Sequence, residues 1–225
     1  MFIFNVILSF HVIAGFLALL SFWVPIVVKK GSTLHNRVGW VFTTSMGVVS
    51  VTAIYMGIFR IFFDSNIDHS TIAFSWFLLF IGILSASTAW YGIRVLRFKR
   101  KADRHLNGFD LFLPFLLIMS GLSISIYGYV IDFPLLTFFS FLGIFLGGSQ
   151  VYYWLSTPKM KRQWWIEHLI GMLSCSIATL TAFIVFGAPQ LLNIDSVHLL
   201  LWFAPTIVMV PLIFGFSNHY KKKFA

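Results

Sequence analysis

Charge is what this sequence has least of. Asp, Glu, Lys and Arg make up 10% of its 225 residues, against about a quarter in a soluble domain. Acids are scarcer still, seven against sixteen bases, and 59% of the chain is hydrophobic. Such a composition cannot build a water-facing surface, which excludes a soluble globular domain, a disordered chain and a coiled coil. Cysteine is almost missing. The single Cys175 can make no intrachain disulfide, and there is no C-x-x-C or zinc-finger spacing. The first apolar run has no basic leader and no A-x-A site, so it reads as a span and not as a cleaved signal peptide.

Apolar runs fill the space that charge leaves. Charge-free stretches lie between Met1 and Lys29, Arg37 and Arg60, Asp68 and Arg94, Asp110 and Asp132, Asp132 and Lys159, Glu167 and Asp195, and Asp195 and Lys221. Each can cross the hydrocarbon, which takes roughly 20 helical residues. In lipid the backbone must bond to itself, so these stretches are expected as helices. The expected fold is therefore all-α: one polytopic integral membrane domain over residues 1–225 with seven transmembrane helices. The bases sort by side. All sixteen except Arg60 fall in the connections after spans one, three and five or in the tail. Asp64, Asp68, Asp132 and Asp195 lie on the opposite side. The positive-inside rule then sets the N-terminus outside and the C-terminus in the cytoplasm. The basic side implies contact with anionic lipid, not nucleic acid.

Tryptophans at 23, 40, 90, 154, 164 and 165 near cytoplasmic ends, and at 76 and 202 near outer ends, fit interfacial belts. In span five, Ser140, Gly143, Gly147 and Gln150 fall on one helical stripe. Gly143 and Gly147 form a G-x-x-x-G pair suited to a neighbouring helix or a second copy. Span six repeats the pattern with His168, Gly171, Met172, Cys175 and Thr179.

Three basic connections end alike: His35 before Gly39, His105 before Gly108, and His168 before Gly171. This resembles a repeat of helical hairpins and sets three imidazoles at one depth, near Glu167, Asp103 and Asp110. Three histidines could hold a divalent metal such as zinc, shuttle protons, or anchor helix ends at the interface. Substituting His168 separates the metal reading from the anchor. His69 and His198, near Asp68 and Asp195, form a looser outer set. His11 sits deep in span one, where a polar group is costly and faces the bundle interior. His11, Gln150, Asp110, Glu167 and Met172 are candidate pocket or path residues.

Some seven-helix roles fail directly. Retinal needs a lysine in the last span, and residues 197–217 contain none. Haem held by two histidines is disfavoured, since only His11 lies deep. Small sugar carriers carry a Pro-Gln motif inside a span, whereas Pro189-Gln190 here reads as an outer loop beyond span six.

His11 with Gly15, the run L-H-N-R-V-G at 34–39, and W-Y-G-I-R at 90–94 followed by His105 resemble a bacterial family of predicted multi-pass membrane proteins, the domain of unknown function 2306. Where that family has a Trp-Met pair after the third histidine, this chain has Leu106-Asn107-Gly108. The resemblance implies a bacterial inner (plasma) membrane and brings no activity. A fainter one, in layout alone, is to seven-helix zinc hydrolases of the ceramidase and adiponectin-receptor kind. Three functions follow as expectations: a metal-dependent or redox membrane enzyme using the His cluster, a small transporter or sensor with a polar path, or a structural subunit of a membrane complex.

Overall fold

The computed structural model describes residues 2–64, 68–192 and 199–224, and these are almost wholly helical. α1 (Phe2–Ser21) and α2 (Trp23–Val27) make the first apolar segment. Pro25 has no N–H for the Ser21 carbonyl one turn back, which accounts for the break at Phe22. The turn that follows holds Gly31 at φ +76°, a conformation a side chain would strain. Ser32 Oγ then accepts from the His35 N–H at 3.2 Å and caps α3 (Thr33–Phe63).

α4 (His69–Arg94) begins at Asp68, whose carboxylate accepts the hydroxyls of Ser70 and Thr71. It runs on into a 3₁₀ turn, Val95–Phe98. Asn107 caps α5 (Gly108–Val130), its Oδ1 accepting from the Phe109 N–H at 2.9 Å. α6 (Pro134–Leu155) opens on a proline, where no N–H is needed. α7 (Gln163–Ala182) passes through a π-helical turn, Phe183–Gly187, into α8 (Ala188–Leu192). Pro189 cannot donate to the Val185 carbonyl, and the wider turn re-spaces the ladder there. Pro189-Gln190 therefore lies inside the helical continuation of the sixth apolar segment, not in a loop beyond it. α9 (Leu199–Phe224) is last. Among the described residues, seven helical segments are long and apolar enough to cross a membrane, in the order of the charge-free runs.

Contacts divide the chain into two compact units, Met1–Ala86 and Ser87–Ala225, with the boundary inside α4. In the first, α1 and α2 pack on α3. A Cβ on Gly57 would stand 3.2 Å from the Ser75 carbonyl oxygen, and one on Gly82 3.3 Å from that of Ser50. Small residues thus bring α3 and the start of α4 together. In the second, α5 packs on α6 and α7 on α9. A Cβ on Gly147 would meet the Pro114 carbonyl oxygen at 2.8 Å, so α5 of the same chain covers this glycine. Ser140, Gly143, Gly147 and Gln150 are all buried on α6.

Candidate functional site

Three polar side chains near the end of α4 define the site. Ser87, Tyr91 and Arg94 stand at i, i+4 and i+7, so helical geometry sets them on one face. Each bonds to a different helix. Ser87 Oγ donates to Gln150 Oε1 of α6 at 2.9 Å. Tyr91 Oη donates to Glu167 Oε2 of α7 at 2.7 Å. Arg94 donates to Asp110 of α5, Nε to Oδ1 at 2.5 Å and Nη2 to Oδ2 at 3.1 Å. The three rungs span about 10 Å of helix axis. Ser87, Tyr91, Asp110 and Gln150 are all buried, and every one of them has its partner, as buried polar groups require.

The Arg94 rung also ties down the α4–α5 connection. His105 Nε2 donates to Asp110 Oδ2 at 2.6 Å, and its backbone N–H donates to the Trp154 carbonyl at 2.8 Å. The imidazole lies between Phe98 and Trp154, with ring centroids 4.4 and 4.9 Å away. Lys101 Nζ donates to the Ser156 carbonyl. Burial pulls the Lys101 ammonium below its ordinary range. Asp110 thus answers two bases. Glu167 has a different surrounding: Tyr91 and the Gln163 amide, 3.3 Å away, are neutral donors. Asp110 forms ion pairs with Arg94 and His105. Glu167, the one glutamate of the chain, forms no ion pair among the described residues, though Lys101 and Lys221 lie near enough to act on its charge.

The other sequence candidates go to separate places. His168 Nδ1 donates to the Gly92 carbonyl at 2.6 Å. It reaches because α4 and α7 nearly touch: a Cβ on Gly171 would lie 2.7 Å from Gly92 Cα. A Cβ on Gly92 would lie 2.7 Å from the Met172 sulfur, so Met172 packs over that crossing. The His-then-Gly pattern has this meaning only at α7, since nothing lies within 4 Å of a Cβ on Gly39 or Gly108. His35 Nδ1 donates to the Pro25 carbonyl at 3.2 Å in the first unit. Lys30 Nζ donates to the same carbonyl at 2.7 Å, and burial lowers its pKa. His11 Nδ1 bonds to Thr52 Oγ1 at 2.9 Å, tying α1 to α3. Since Thr52 Oγ1 donates to the Val48 carbonyl, it accepts from His11.

Among the described residues, no three His, Cys, Asp or Glu side chains gather into a group that could hold a metal ion. Of the three histidines expected at one metal site, His105 bonds to Asp110 and His168 to the Gly92 carbonyl in the second unit, and His35 bonds to the Pro25 carbonyl in the first. His198 and Asp195 of the outer set lie outside the described residues.

Sequence reasoning missed Ser87, and took Tyr91 and Arg94 only as part of a resemblance motif and Arg94 also as a topology base, not as site residues. The signal was present: three polar residues at i, i+4 and i+7 in an apolar run, ending on an arginine. No protein-family model, curated protein or solved structure matches this chain.

Proposed function

We propose that the chain is a multi-pass inner-membrane protein, N-terminus outside and C-terminus in the cytoplasm, that works as a proton-responsive carrier or sensor. Three features support the membrane setting. Seven helical segments have the length and hydropathy of spans. Large apolar side chains such as Phe2 and Val51 stand more than half exposed, as lipid-facing groups do. The bases, apart from Arg60, fall in alternate connections.

The proton reading rests on one observation: Glu167, in the second turn of an apolar segment, is bonded by two neutral donors and forms no ion pair among the described residues, with Lys101 and Lys221 acting on it from farther off. An ionisable group on an apolar span is costly and is a functional-site candidate. As a carboxylate, Glu167 accepts from Tyr91 and Gln163. Protonated, it becomes a donor as well and a weaker acceptor, so its bonds from Tyr91 and Gln163 weaken. Proton binding is thereby coupled to the contact between α4 and α7.

The test is infrared spectroscopy of the reconstituted protein over a pH titration. A protonated-carboxyl band that comes and goes with pH, and is missing in Glu167→Gln, is the expected result. A titration with no such difference band, or one unchanged in the variant, overturns the reading. The rungs would then be interhelical bonds that hold the bundle together.

A further inference from the structure

The second unit has a basic, aromatic rim that the polar ladder does not use. The 3₁₀ turn Val95–Phe98 packs on α7, and α7 packs on α9. These contacts bring bases from three stretches near aromatic side chains of α7 and α9. Lys99 Nζ lies 5.1 Å from the Trp164 ring centroid, and Arg162 Cζ 5.1 Å from that of Phe224. Trp165 lies 4.1 Å from Tyr220 and 5.4 Å from Phe224, centroid to centroid. Lys221 follows Tyr220 in the last turn of α9. Lys99, Arg162 and Lys221 are exposed. None of them belongs to an ion pair among the described residues.

A shallow groove of about 430 Å³, open to the surroundings and lined by α9 alone, runs along that helix to Tyr220 of this rim. Pro211, Leu212, Gly215 and Phe216 make its apolar floor, with His219 and Tyr220 at the basic end. Unneutralised bases beside interfacial aromatics, at the end of an apolar groove, match an amphiphile with an anionic head.

We propose that this rim and groove bind one anionic phospholipid. Its phosphate meets Lys99, Arg162 and Lys221, and an acyl chain lies along α9 over Gly215. The phosphate chemistry alone would also suit a free anion; the groove selects the lipid. The site rests on the membrane setting proposed above and shares with the proton reading only Lys221, whose charge also acts on Glu167.

The test reconstitutes the full chain in phosphatidylcholine nanodiscs containing a minor share of phosphatidylglycerol and measures the lipid retained on extraction. Phosphatidylglycerol should be enriched several-fold over the disc. The K99Q/R162Q/K221Q variant should lose that enrichment, and the K99R/R162K/K221R variant should keep it. Gly215→Leu should lower it by filling the groove, at a position where nothing lies within 4 Å of a Cβ. Equal retention of both lipids, or enrichment that survives the glutamine variant, overturns the site. So does inorganic phosphate in pure phosphatidylcholine discs if it raises the melting temperature as phosphatidylglycerol does. A chain that enters discs without enrichment sinks this site alone. A chain that enters no disc sinks the membrane setting with it.

Discussion

Asp110 is the side chain on which most depends at the residue scale. Its carboxylate is buried and holds Arg94 and His105 together. Removing one member of a fully buried pair costs about 3–5 kcal/mol, but Arg94 is part-exposed and His105 still answers Asp110 when Arg94 is gone. Asp110→Asn or Arg94→Met alone should therefore destabilise by less, about 1–3 kcal/mol, in thermal unfolding. The double variant Arg94→Met/Asp110→Asn should recover a good part of the loss, and strict additivity would refute the pairing. Asp68 makes a pH-dependent contribution. The hydroxyls of Ser70, then Thr71, hold its carboxyl down to about 2, against about 3.9 unfolded. A depressed folded pKa stabilises above the unfolded value and is lost as pH falls through the folded one. The melting difference between the native chain and Asp68→Ala should be constant above about pH 4 and vanish as the pH falls toward 2.

At the scale of elements, the α4–α7 crossing decides which polar groups meet. Gly92 and Gly171 let the two backbones touch, and Tyr91–Glu167 and His168–Gly92 flank that contact. A leucine at 171 has no space, and overpacking of this kind costs about 1–3 kcal/mol. Gly171→Leu should lower the melting temperature and weaken the Tyr91–Glu167 bond, read as a shift in the tyrosine infrared bands. Gly39→Leu meets open space and should change stability by less than about 0.5 kcal/mol. Equal effects at the two glycines would refute the close crossing.

Over the whole molecule, the proposed orientation makes opposite predictions for two connections. Cys175 is buried and should be silent to a membrane-impermeant thiol reagent. In intact cells, Asp132→Cys should label from outside. Lys99→Cys should label only after the membrane is opened. Labelling of Lys99→Cys in intact cells would invert the assignment drawn from the bases.

The number of apolar helical segments and their order were determined by the sequence alone, because both depend on local quantities: run length, hydropathy, and caps such as Ser32 and Asn107. The buried stripe on α6 was legible for the same reason, since the helical period sets a face. Which faces meet was decided only by the tertiary structure. Tyr91 and Glu167 are 76 residues apart and Ser87 and Gln150 63 apart. Nothing local links such pairs; rotation of each helix about its axis and the point of closest approach do. The histidines make the same case. Their matched depth along the chain suggested one site, but no count of residues could name the partners they have: the Pro25 carbonyl for His35, Asp110 for His105 and the Gly92 carbonyl for His168. Depth follows from counting residues along an apolar run, whereas convergence needs the packing of backbones that only small residues such as Gly92 and Gly171 allow.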